Sequence, residues 1–132
     1  MNILIHFLFN ILFGEIFRFK WEEILLIGLG GVIIDLDHIL YQFFIVKNRT
    51  IKQMWEWHKR ESKINRPHYY VFHYLEIMLI ITILGYFFNW YLFLIFLGFI
   101  LHWIVDAIMY INYYKSLNPW IKYYSLIGTI TR

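Results

Sequence analysis

The sequence predicts an all-α fold, an integral membrane four-helix bundle forming one domain over residues 1–132. An interfacial basic helix is expected between helices two and three, and a short interfacial helix at the C-terminus. Three observations carry this expectation. Hydrophobic residues make up 61% of the chain, aromatic residues 23% and charged residues only 16%, a balance on the lipophilic side of soluble domains. Apolar runs long enough to approach or exceed a bilayer crossing recur along the chain. The basic residues gather in one segment instead of being spread over solvated faces.

Residues 1–17 are apolar apart from Asn2, His6, Asn10, Gly14 and Glu15 and read as helix one, at the short limit of a span. No Lys or Arg precedes Phe13 and the chain holds a single alanine, Ala107. A secretory signal needs a positive start and a small-residue cleavage site, so the first helix is expected to be retained. After a polar turn, residues 23–46 form helix two, in which Gly28, Gly30 and Gly31 permit close approach of a neighbouring backbone. Residues 47–66 carry Lys47, Arg49, Lys52, Lys59, Arg60, Lys63 and Arg66 among Ile51, Met54, Trp55 and Trp57, as a basic helix at the headgroups would. Asn65-Arg66-Pro67 is a helix-start signal, and helix three runs over 67–88. Asn89-Trp90 is a tight connection, so helix four, 91–114, returns antiparallel to it. Beyond Pro119 the tail over 120–130 is too short to span and is placed in the interface.

Four spans put both termini and the basic loop on one side. That side holds ten Lys or Arg against Arg18 and Lys20 on the other, which makes it the cytoplasmic face of an inner or plasma membrane.

The net charge is only +3 and no nucleic-acid-binding motif accompanies it, so no nucleic-acid partner is expected. Cysteine is absent, which removes disulfides and thiolate metal sites and leaves His, Asp and Glu as the available ligands.

Against this background Asp35, Asp37 and His38 stand inside an apolar run, where each Asp costs roughly 2.5–3.5 kcal/mol on insertion scales. Such residues need partners, and His6, His73, His102 and Asp106 supply them. At helical rise all of these lie roughly 8–18 Å from the same membrane face, a match in depth that scattered packing residues have no reason to show. His102 and Asp106, four apart, share a helix face and can bind one metal, or one can orient the other; the bland alternative is a helix-packing hydrogen bond. Asp35 and His38 also share a face. Asp37 points about 160° away from Asp35 on a straight helix, so either the helix is distorted after Gly30-Gly31 or Asp37 serves a second metal or an outer shell. His73 pairs with Glu76 at three residues' spacing. His68, beside Arg66, reads as a phosphate or substrate contact or as a solvated histidine, His6 as a ligand or an interior histidine, and His58 as surface.

The order His6, then Asp35-x-Asp37-His38, then His68-x-x-x-x-His73, then Gly98-x-x-x-His102-x-x-x-Asp106 resembles the membrane-bound metal-dependent hydrolases, also described as LexA-binding, inner-membrane-associated hydrolases. The chain departs from that pattern at Ile34, Tyr69 and Tyr74, where the family usually carries Pro, Arg and Ser. The resemblance implies metal-dependent hydrolysis without naming a substrate.

The resulting expectation is one or two divalent ions, zinc favoured and manganese or iron compatible. The ligands would be Asp35, Asp37, His38, His73, His102 and Asp106, with His6 in support. Glu76, or whichever Asp is not a ligand, would be the general base. Arg60, Lys63, Arg66 and His68 would draw an anionic substrate, a phosphoester of a membrane lipid or a lipid-linked molecule. Two other classes use the same residues: a metal-ion or proton pathway, which the apolar outer halves of the helices disfavour, and a structural or partner-binding module, which predicts no metal and tolerance of Asp106→Asn. No protein partner is indicated.

Overall fold

The computed structural model describes residues 3–61, 70–114 and 124–130, and every regular element within them is helical. In order these are α1 (Ile3–Ile16), α2 (Trp21–Ile33), α3 (Leu36–Tyr41) running on into a π-helical turn (Gln42–Val46), α4 (Ile51–Glu61), a 3-10 turn (Val71–His73), α5 (Leu75–Phe88), α6 (Trp90–Tyr114) and α7 (Leu126–Ile130). Two stretches, Trp21–Val46 and Trp90–Asn112, are long and apolar enough to cross a membrane. α1 and α5 have 14 residues each, about 21 Å of rise against a hydrocarbon core of about 30 Å.

α6 is the central element, packed against α2 on one side and α5 on the other, with α1 against α2 and α6. Ile27, Leu94 and Leu101 form one small buried cluster and Ile34, Met78 and Phe99 a second. Large apolar side chains also cover the outside, among them Leu8, Leu12, Ile80, Ile83, Phe87 and Phe88. Two glycines set the α2–α6 spacing. A methyl group added at Gly30 would lie 2.1 Å from the Ile95 carbonyl oxygen, and one at Gly98 would lie 2.3 Å from that of Ile27.

Asn10 locks a third helix into this seam. Its fully buried side-chain amide donates to the Ile27 carbonyl (3.0 Å) and the Gly98 carbonyl (3.2 Å), joining α1, α2 and α6 at one point. Asn10→Ala is therefore expected to destabilise the bundle by about 1–2 kcal/mol, in the range of interhelical hydrogen bonds in apolar surroundings. Thermal unfolding in detergent measures this, and an unchanged midpoint would remove the locking role.

The helix expected over 23–46 is interrupted close to where its glycines end. Ile34 and Asp35 form a turn, with the Asp35 amide bonded to the Val32 carbonyl (3.2 Å) before α3 begins. The π-turn ends at Lys47, whose left-handed backbone (φ 63°) stops the helix. α4 then starts on a reciprocal cap, in which Thr50 Oγ1 accepts from the Gln53 amide (3.2 Å) and Gln53 Oε1 accepts from the Thr50 amide (3.1 Å).

Helix three differs from expectation. A continuous helix from Pro67 is replaced by extended backbone at Tyr70 and Tyr74 around the 3-10 turn, and α5 begins at Leu75. The physical reason is competition for a backbone donor: the Phe72 amide is taken by the Asp37 carboxylate (3.2 Å), which a continued α-helix would have to surrender. At the other end the connection shortens to Asn89, whose side-chain oxygen caps α6 through the amides of Tyr91 (2.9 Å) and Leu92 (3.1 Å).

Candidate metal centre

Five elements converge at one level of the bundle. α1 supplies His6, the α2–α3 turn Asp35, α3 supplies Asp37 and His38, the 3-10 turn His73, and α6 His102 and Asp106. They form two groups that could hold a metal ion: His6, His102 and Asp106, all buried, and Asp35, His38 and His73.

In the first group His6 Nε2 lies 3.2 Å from Asp106 Oδ1, and His102 Nε2 lies 3.5 Å from Asp106 Oδ2. The His6 and His102 rings stack with centroids 3.8 Å apart, and a ligand atom of each lies within 4.8 Å of the other. His6 Nε2, His102 Nε2 and Asp106 Oδ1 make no hydrogen bond although they are buried and close. Lone pairs converging in a buried space without bonding one another leave a desolvation cost that a shared cation would offset.

In the second group His38 Nε2 lies 3.3 Å from His73 Nε2 and 3.5 Å from Asp35 Oδ1. Two donors about 2.0–2.2 Å from one zinc-like ion at the tetrahedral angle stand roughly 3.3–3.6 Å apart. Four ligand-to-ligand separations run from 3.2 to 3.5 Å and within each group one ligand atom per residue lies within 4.8 Å of the others, a spacing compatible with a divalent ion.

The backs of two rings are held. His102 Nδ1 donates to the Gly31 carbonyl (2.6 Å) and His73 Nδ1 to Asp37 Oδ2 (3.0 Å). Each contact leaves Nε2 as the lone-pair nitrogen facing the centre, as outer-shell partners of metal-binding histidines do. Asp37, expected among the ligands, holds the back of His73 through Oδ2 and belongs to neither group. The break at Ile34–Asp35 explains the division of labour: it brings both carboxylates to His38, with Asp35 Oδ1 at 3.5 Å and Asp37 Oδ1 at 4.0 Å.

Glu76, expected as a general base, stands elsewhere. Its carboxylate accepts from Ser125 Oγ and from the amides of Leu126 (2.8 Å) and Ile127 (3.3 Å), capping α7 and joining neither group. The reason is electrostatic, since unpaired amides at a helix start attract a carboxylate. Lys63, Arg66 and His68 lie outside the described residues, and Arg60 belongs to α4 with its side chain outside them.

The site includes two aromatic residues that sequence reasoning did not single out: Tyr70, whose ring lies 3.8 Å from that of His38, and Tyr124. The Glu76 cap holds the start of α7 in place, and Tyr124 just before it sets its ring 5.9 Å from that of His73. Desolvation pushes the Tyr124 phenol above the ordinary tyrosine range, and the carboxylates of Asp106 and Asp37 push it the same way. No periodicity or spacing links Tyr124 to His73, so nothing in the sequence signalled it.

The two groups differ in access. The side chains of His6 and His102 are 0% exposed, whereas those of His38 and Asp35 are 20% and 18% exposed, so the centre opens at the α2–α3 break. No family model, curated protein or solved structure matches this chain.

Proposed function

We propose that this chain is a membrane-embedded, metal-dependent hydrolase acting on a phosphoester of a lipid or lipid-linked molecule. The observation that carries the reading is the convergence of His6 Nε2, His102 Nε2 and Asp106 Oδ1, buried and without hydrogen bonds, beside a second group in which His73, like His102, is held from behind. Trp21–Val46 and Trp90–Asn112 cross the bilayer in this reading, with α1 and α5 completing the bundle and α4 lying at the cytoplasmic surface.

His6, His102 and Asp106, with Asp35, His38 and His73, would hold divalent metal, zinc being favoured by the mixed imidazole and carboxylate set. The metal, when bound, supplies Lewis acidity and a water acidified to about pKa 7. Asp37 fixes the His73 tautomer through Oδ2. Its other oxygen is buried without a hydrogen bond, and with Glu76 engaged at α7 it is the carboxylate available to accept the proton released as water attacks phosphorus. Substrate enters at the partly exposed His38 and Asp35 edge, and the exposed Lys47, Arg49 and Lys52 draw an anionic headgroup to that side.

The test is metal content of the protein purified in mild detergent without chelator, followed by hydrolysis of an anionic phospholipid and of a neutral ester. Stoichiometric zinc, manganese or iron is expected, with phospholipid cleavage lost to a chelator and restored by metal. Equal cleavage of the neutral ester, or no phospholipid cleavage with metal supplied, would overturn the phosphoester reading.

Asp37→Asn separates its two roles. Loss of the carboxylate behind His73 is expected to weaken metal binding by about 10–100-fold. A rate deficit that survives saturating metal reports the proton-accepting role, and full rescue by metal would confine Asp37 to orienting His73.

A further inference from the structure

We propose that the two groups are halves of a single two-ion centre bridged by Asp35. The inference rests on the metal-binding reading and adds to it the stoichiometry and the shared ligand.

Asp35 is the point of contact between the groups. Its Oδ1 stands 3.5 Å from His38 Nε2 in one and 3.6 Å from His102 Nε2 in the other, so one carboxylate is within ligand-to-ligand distance of both. The rings confirm that the groups adjoin, with His73 and His102 centroids 5.5 Å apart and edge to face. Two-ion hydrolytic centres hold their metals about 3.5–4 Å apart, a separation that a carboxylate spans. The donor count agrees: four imidazoles and Asp106 divide between the ions, with Asp35 common to both.

Charge gives the centre its ligand class. Two divalent ions against the carboxylates of Asp35 and Asp106 leave a net positive pocket. An anionic tetrahedral group such as a phosphoester, with two oxygens to offer, complements it better than a neutral ester does. The break in helix two is what makes the bridge possible, because it sets the Asp35 side chain between α3 and α6.

Loading the purified protein with Mn2+, desalting it, and measuring bound metal together with its electron paramagnetic resonance spectrum tests this directly. Two ions per chain with the spectrum of a spin-coupled pair are expected. His6→Ala is expected to drop the content to one ion and abolish the coupling, while the second group keeps its metal. One ion in the wild type, or two that are uncoupled, overturns the bridged centre and leaves the metal-dependent reading standing. No bound metal in wild type overturns both.

Discussion

Replacing His102 by alanine is expected to weaken metal binding at the buried group by more than about a hundredfold, and to remove phospholipid hydrolysis with it. Outer-shell changes at metal-binding histidines already cost about 10–100-fold, and His102 is a ligand candidate with three further attachments. Its Nδ1 holds the Gly31 carbonyl, its ring stacks on His6, and its Nε2 faces both Asp106 and Asp35. In the proposed centre, removing it would take a donor from one ion and a neighbour from the Asp35 carboxylate. Competition with a chelating dye measures the affinity, and Asp106→Asn should move it in the same direction. A structural module predicts the opposite: no metal to lose, and tolerance of Asp106→Asn. No bound metal in the wild type, with Asp106→Asn folding unchanged, would decide for that alternative, and unchanged affinity in both variants would remove His102 and Asp106 from the ligand set.

The second large effect is on folding. Gly98→Val is expected to destabilise the protein by about 3 kcal/mol, at the upper end of overpacking costs. The first added carbon would already meet the Ile27 carbonyl oxygen at 2.3 Å, and both contacting groups are helical backbone that cannot rotate away. α2 and α6 must separate, which also breaks the Asn10 bonds to Ile27 and Gly98 and shifts His102 one turn further along α6. The control is Leu92→Val on an exposed face of the same helix, with an expected change near zero. Equal unfolding midpoints for the two variants would show that the seam tolerates expansion.

These predictions depend on residues that differ in how far the sequence revealed them. His6, Asp35, His38, His73, His102 and Asp106 stand out from sequence alone, because an ionisable side chain in an apolar run is expensive and calls for a partner. The structure brings all six together. Asn10 was passed over although it lies one helical turn from His6, since a lone Asn on an apolar helix carries no spacing signal until its partner carbonyls are known. Glu76 is placed away from both groups for the complementary reason. Its three-residue spacing from His73 has meaning only if both sit on one helix, and the Asp37 carboxylate keeps His73 off that helix by taking the Phe72 amide.

Composition and periodicity determined the helical class, the tight connection near Asn89 and the identity of the polar residues needing partners. Those follow from local propensity, apolar run length and the cost of burying charge, none of which requires a distant contact. The tertiary structure alone decided how the helices are interrupted and which carboxylate does what. It ended α2 at Ile33, turned Asp35 between the two groups, put Asp37 behind His73 and sent Glu76 to cap α7. The last two pair a backbone donor with a side chain far away in sequence, Phe72 with Asp37 and Leu126 with Glu76, and only the packed chain shows which partner lies within reach.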